Sequence, residues 1–505
     1  MPNGSNRLMS RENIGLLAGP PPPDTETLAR WTEGQRRRRL LDGLWKNDLR
    51  DALAREYEPR RRRLMGMPDT TRNLFRSLIT QLSVLYDREP IVDHARPDAV
   101  ERMAAIVNGA GLWQLAITQQ QQTLALREGL YRFDVTRGDQ PRLLARIVPA
   151  DLVWAWTPPD NPDVPELIYE YRQRPRPDSP DFIWTRDVAD IRDLENPVFR
   201  IESANGKADI TDQYLDAGDL SGDAYPYRAG DGRPILPYVL YHAMRTGRLW
   251  DPYRGIELVE GSLAVAGLLT QWRHLVRDAS WPQRWALNAV VDGAIPDPAT
   301  GDLNVSTDPS SLVNFKALIP GQSTGVGQFK PGGNPKELLE AIGSYASDLA
   351  ADFAFYADVK RTHVSARSGY AIELSREAQR AAQRRFEPQF SRGDVQSLEV
   401  IAALWNRATG DTLPEDGWTI RYPGLPLSME ERRLLMEEHQ MRADMGITSK
   451  PKLLAAVDGL TEDQARDELV RIEIDQARFD QGGGGAVGNE AANRPAENTD
   501  HEDEE

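Results

Sequence analysis

Apolar positions recur at three- and four-residue spacing from Thr25 onward. Leu28, Trp31, Leu40, Leu41, Leu44, Trp45, Leu49 and Leu53 mark one helical pattern, with Asp24 or Thr25 as its cap. The same period returns over residues 70–85, where Leu74, Leu78, Leu82 and Leu85 form a stripe, and again over 97–109 and 112–128. Near Leu130 the period falls to two. Leu130 to Val135 alternates like a strand, and residues 142–148 do so less cleanly. Short runs at 153–156, 166–172, 182–185 and 198–201 read as further strands, separated by Pro, Asp and Asn. Residues 130–245 are therefore expected to be strand-rich.

Helix returns at about Tyr253. Over Ile256–Ala279 the apolar face is wide, carrying Val259, Leu263, Ala266, Leu269, Trp272, Leu275 and Val276, and a face that wide predicts several neighbours. Residues 281–333 are rich in Pro, Gly and Asp and read as a compact irregular insert. A clean amphipathic helix then opens at Pro335, with Leu338, Leu339, Ile342, Tyr345, Leu349, Phe353 and Tyr356 on its stripe; to Val359 it would span about 37 Å. A polar break, residues 360–369, leads to a long helical pattern from Tyr370 to about Ala408, with a kink expected at Pro388. Trp418–Tyr422 reads as a last strand. Ser428 with Glu431 forms a capping box for a helix to Met445, and two more helices follow, from Ser449 and from Thr461.

Composition adds limits. With 40% hydrophobic and 27% charged residues the body should fold. No run approaches the ~20 apolar residues of a membrane span, and residues 1–23 lack the apolar core of a secretion signal. There are no cysteines, so disulfides, thiolate catalysis and Cys-based zinc sites are excluded. The net charge of −16 argues against a protein that coats DNA with its whole surface. The charge is unevenly placed. Residues 1–76 hold 16 basic and 10 acidic residues, including the runs Arg36–Arg39 and Arg60–Arg63, whereas residues 480–505 hold 8 acidic and 1 basic. The arginine runs could meet DNA phosphates, a protein or subunit partner, or solvent. The acidic end, after a Gly-rich stretch, reads as a disordered tail.

Catalytic motifs are missing. The six histidines are scattered, without helical ligand spacing. Gly321 to Gly327 lacks the Lys-Ser/Thr pair of a phosphate loop. No G-x-S-x-G, H-E-x-x-H or EF-hand spacing occurs, and the carboxylate pairs Glu437/Glu438 and Asp463/Asp467 read as solvated helix faces. Neither an enzyme nor a cofactor is expected.

Local sequence carries a resemblance. Gly261-Ser-Leu-Ala-Val-Ala-Gly-Leu-Leu-Thr-Gln-Trp272, then Ser280-Trp-Pro-Gln-Arg284, is followed by Leu318-Ile-Pro-Gly321 and Phe329-Lys-Pro-Gly-Gly-Asn334. Ala366-Arg-Ser-Gly-Tyr-Ala-Ile-Glu-Leu-Ser375 precedes Gly446-Ile-Thr-Ser-Lys450 and Gly459-Leu-Thr-Glu-Asp-Gln-Ala465. In their order and spacing these segments resemble the portal proteins of tailed bacteriophages, of the siphophage type, over about Arg72 to Phe479. The resemblance implies an α+β, mainly helical portal fold with clip, stem, wing and crown regions that assembles into a ring. After a flexible arm (1–25) would come wing (26–252), first stem helix (253–280), clip (281–333), second stem helix (334–359) and tunnel loop (360–369). The long kinked helix with a wing strand (370–427), crown helices (428–479) and acidic tail (480–505) would complete the chain.

The implied role is a homo-oligomeric ring of about twelve copies at the capsid portal vertex of a virion, assembled in the host cytoplasm. Double-stranded viral DNA would pass through it during packaging and ejection. Its partners would be the large terminase, the head–tail adaptor, and the major capsid and scaffolding proteins, with no membrane. Lys360, Arg361, Thr362, His363, Arg367, Ser368 and Gly369 would face DNA. Val259, Leu263, Leu269, Leu338, Ile342 and Leu349 would make stem contacts between subunits. A ring of that size would carry a charge on the order of −200, repelling phosphates and limiting adhesion. Rival readings are a minor capsid or scaffolding-type assembly protein, and a nucleic-acid-processing enzyme.

Overall fold

A computed structural model describes residues 25–59, 62, 67–136, 140–176, 182–203, 208–214, 225–251, 256–280, 283–291, 295–296, 303–304, 315–319, 321–329, 334–352 and 369–424, and, further on, 433, 436–438, 440–442, 445–446, 449–458 and 462–482. The chain divides into two units, Met1–Tyr422 and Pro423–Glu505. Helices and antiparallel strands mix without any parallel pairing among the described strands, an α+β arrangement.

The first helical pattern is two helices, α1 (Thr25–Asp42) and α2 (Lys46–Glu56). Gly43 separates them at φ 81°, a left-handed conformation open to glycine, and Leu44 N–H closes back on the Arg39 carbonyl at 2.7 Å. Helix α3 (Leu74–Leu82) is shorter than the stripe suggested because Asn73 caps it, its side chain accepting from Arg76 N–H. Strand β1 (Ile91–Asp93), α4 (Pro97–Ala110) and α5 (Leu112–Leu126) follow; α4 starts on a proline and stops at left-handed Gly111.

Two antiparallel sheets form the strand-rich part. One has the order β3 (Leu143–Pro149), β2 (Glu128–Val135), β8 (Tyr238–His242). The other is a meander of β4 (Val153–Trp156), β5 (Leu167–Pro175), β6 (Phe182–Asp190) and β7 (Val198–Ser203). The alternating pattern predicted most of these strands. It missed β8, which is buried on both faces.

Helix α6 (Ile256–Ser280) then packs on α7 (Pro335–Ala351), α2 and α3. The insert between α6 and α7 is not irregular. Its described parts are three concentric antiparallel pairs: β9 (Gln283–Leu287) with β14 (Gly325–Phe329), β10 (Ala289–Val291) with β13 (Phe315–Ala317), and β11 (Ile295–Pro296) with β12 (Leu303–Asn304). Strands this short, interrupted by Pro and Gly, carry too little alternation to be read from sequence.

The long helix α8 (Gly369–Thr409) runs through Pro388 as one element, with the proline exposed. It packs on β8, β2 and β15 (Thr419–Arg421), and β15 pairs with β1 across more than 300 residues of chain. In the second unit, α9 (Lys450–Asp458) packs on α10 (Glu462–Gly482), with Ala465 buried. The capping box at Ser428 lies outside the described residues.

Candidate functional site

The helix pair and its strand insert are the most distinctive part of the chain. Val265, Leu269, Ile342 and Ala346 are buried between α6 and α7, with Leu74, Leu268, Trp272, Leu338 and Leu339 packed around them. Asn334 caps α7, accepting from Lys336 N–H at 3.0 Å and donating to Glu337 at 2.8 Å. Trp272 Nε1 donates to the Pro335 carbonyl at 2.9 Å, locking the start of α7 to the end of α6. The insert grows directly from this junction: β9 begins at Gln283 and its partner β14 ends at Phe329.

The residues expected at stem contacts lie within or beside this packing. Val259, Leu263, Leu269, Ile342 and Leu349 are buried within a single chain, and Leu338 is half-buried. Their apolar surface is covered by α2, α3 and the facing helix, which is why the face of α6 is so wide. Ile256 and Tyr345 are the large apolar side chains left exposed on these two helices. Of the residues assigned to the polar break, Lys360, Arg361, Thr362, His363, Arg367 and Ser368 lie outside the described residues. Gly369 is the first residue of α8 rather than part of a loop.

The run Arg36–Arg39 is occupied within its own chain, which none of the three sequence readings anticipated. Arg36 donates to Glu260 of α6 at 2.7 Å. Arg37 reaches the Ala125 carbonyl at the end of α5 and pairs with Glu33. Arg38 stands 3.0 Å from Asp151, in the short 3-10 turn before β4, and Arg39 grips Asp48 of α2 with two bonds of 2.6 and 2.9 Å. Burial pushes Arg37 below the ordinary guanidinium value and raises the Asp151 carboxyl. Helix α1 is thus a charged rivet among four elements, with partners up to 224 residues away. Local charge counts cannot show such partners.

Two further polar clusters brace the strand layers. Arg132 of β2 reaches Asp187 at 2.6 Å and Glu170 at 3.2 Å, and also Asp134 and the Tyr227 and Tyr238 hydroxyls. Arg146 and Arg174 close on Glu170 and Asp187 from either side. Burial opposes the Arg132 charge, yet the carboxylates around it hold its pKa well above the ordinary value. Burial likewise opposes ionisation of Glu170, but Arg146 and Arg132 pull it well below the usual carboxylate range. The second cluster centres on Asp394 of α8. It accepts from Tyr86 at 2.8 Å, from Tyr241 at 2.7 Å, and from Tyr422. Full burial raises Asp394 to about 6 despite these three donors. One residue before it, Gly393 lies against the Tyr241 ring, where an added Cβ would stand 2.6 Å from a ring carbon. Sequence reasoning missed Asp394. The signal was an aspartate on the apolar stripe Phe386, Phe390, Leu398 and Ile401.

Every carboxylate in these clusters is held by arginine or tyrosine, an arrangement suited to bracing. Among the described residues no group of three or more His, Asp or Glu is placed to hold a metal ion, and no helix is long and apolar enough to cross a membrane. No family model and no curated protein matches the chain. Among solved structures the chain is similar to one from the virion of a native gene transfer agent particle. The identity is 13% and the TM-score 0.39, covering 90% of this chain and 99% of that one.

Proposed function

We propose that the chain is the subunit of a portal ring: about twelve copies around a channel through which double-stranded DNA enters and leaves a tailed-phage-type capsid. The observation that carries this reading is the α6–insert–α7 unit, two packed apolar helices bearing concentric strand pairs at one end. In a ring, such helices would line up around the axis and the strand knob would present a docking surface to a packaging motor and later to a head–tail adaptor. The charged rivets of α1 and the Asp394 cluster suit a body that transmits force without deforming. The chain's charge of −16 suits a lumen that must not hold DNA tightly. No catalytic step is assigned to it.

Negative-stain images and native mass of the purified full chain test the proposal. Annuli with a central hole are expected. A protein that stays monomeric under all assembly conditions, or one with robust nuclease or ATPase activity, overturns it.

A further inference from the structure

One cleft in the first unit is lined by four arginines, three of them facing Glu170 or Asp187 behind its wall and the fourth, Arg407, without such a partner among the described residues. It encloses about 390 Å³ between the two sheets and the end of α8. Arg132, Arg172, Arg174 and Arg407 line it, against Asp134 as the sole lining carboxylate, and its walls include Leu144, Phe199 and Leu404. Asp134 is already taken by Arg132 and Tyr227. Arg174 is largely buried, yet its Nε has no hydrogen-bond partner. Arg172 sits 3.8 Å from Asp187, and burial together with Arg146 and Arg174 pushes its pKa down. Arg407 is exposed and makes no ion pair among the described residues. Leu144 on the rim is 52% exposed.

The complement lies on the same unit. The turn between β6 and β7 presents Leu194, 60% exposed, next to Glu195, which is exposed and makes no side-chain contact to a cation among the described residues. The turn is stiff. Asp193 accepts from the N–H groups of Glu195 and Asn196 at 3.0 and 3.2 Å and from the Asn196 side chain at 3.1 Å. Asp190 is occupied by Arg192 at 2.7 Å. An apolar side chain with a free carboxylate beside it, on a pre-ordered turn, matches an apolar cleft floored by arginine. It does not fill its own cleft: Leu194 and Glu195 both stay exposed in the folded chain.

We infer that the Leu194–Glu195 turn of one copy plugs the arginine-lined cleft of a second copy. Plug and socket are different patches of one chain, so the contact is heterologous, the kind that closes a ring when the rotation between copies is right. This inference rests on the ring reading and names one contact that would hold the ring.

Charge exchange tests it in the full chain, through two surface residues. Glu195→Arg and Arg407→Glu are each expected to lower the fraction of protein in annuli about tenfold, while the unfolding midpoint stays that of the parent. The double exchange is expected to restore annuli. A second test uses the absence of native cysteine. Leu194→Cys with Leu144→Cys should give a ladder of disulfide-linked oligomers under oxidation, and neither single variant should pass the dimer. Annuli that form normally in both charge variants, with no ladder in the double cysteine variant, overturn the contact and leave the ring standing. Intact annuli that lose DNA retention in Arg407→Glu alone would assign the cleft to phosphates and overturn the contact as well. A parent chain that forms no annulus overturns the ring and the contact together.

Discussion

Between α6 and α7 the interior is almost wholly aliphatic, built from Val265, Leu269, Ile342 and Ala346. Between the two sheets the interior holds Arg132, Glu170 and Asp187, all nearly inaccessible to solvent. An aliphatic seam is non-directional; neighbouring registers differ little as long as volume is filled. A buried ion cluster has one register, because a shift of one residue would turn Arg132 to the opposite face and leave Glu170 and Asp187 unpaired. The comparison suggests a division of labour in which the strand layers hold a fixed geometry and the helix pair can adjust. The largest effect is therefore expected from Asp187→Ala. It strands Arg132 and Arg174 without their shared carboxylate and should cost about 4 kcal/mol, read as a fall in the urea midpoint. A variant within 1 kcal/mol of the parent would show that the cluster does not set the register.

Next in size is Ile342→Ala. Ile342 is fully buried, so the loss of its side chain should cost about 3 kcal/mol through lost burial and a residual cavity. A much smaller loss would mean that the pair collapses around the gap, which would strengthen the view that it adjusts. Two glycines sharpen the contrast further. At Gly393 an added methyl meets the Tyr241 ring, and that ring is held by the bond from its hydroxyl to Asp394. Gly393→Ala should therefore destabilise by about 2 kcal/mol even though alanine is the better helix former. At Gly261 the same methyl meets the far ends of the Leu349 side chain at 2.6 and 3.0 Å. A leucine tip can rotate away, so Gly261→Ala should stay within about 1 kcal/mol of the parent, the gain in helix propensity offsetting the crowding. Parallel thermal melts decide between them.

What the sequence disclosed follows the same divide. Periodicity located α4, α5, α6 and most strands of the two sheets, because burial on one face writes a period into the chain. It located the apolar positions of α6 and α7 as well, but not what covers them: Val259 and Leu269 look the same whether a neighbouring subunit or α2, α3 and α7 lies against them. The ionic clusters were hidden for another reason. Arg36 and Glu260, or Tyr86 and Asp394, meet only after the chain has folded, and nothing at either position reports the other. Asp394 alone was findable, as a charge on an apolar stripe. The break at Gly43 was also open to reading, since glycine after Asp42 is a common helix stop.

The smallest effect concerns pH, and it separates the two interiors cleanly. Asp394 is raised by burial from 3.8 to about 6. Between those values the folded chain holds a proton that the unfolded chain releases, so the contribution of Asp394 to stability is full below about pH 4 and is lost as pH rises to about 6. His242 works in the opposite sense. Burial, with Arg245 nearby, lowers it from 6.5 to about 4, so the unfolded chain binds the proton more readily and stability is lost as pH falls through that window. The two terms oppose one another, and a single stability curve for the parent will look flatter than either. Difference curves resolve them. The stability of the parent minus that of Asp394→Asn should fall between pH 4 and 6, by on the order of 1–2 kcal/mol. The corresponding difference for His242→Gln should rise between pH 4 and 6.5. Ile342→Ala removes no titrating group, and its difference curve should be level across the same range. Level curves for all three variants would show that the buried charges of the strand layers do not change protonation on unfolding. A slope in Ile342→Ala alone would show that the helix pair, not the sheets, is the pH-sensitive part.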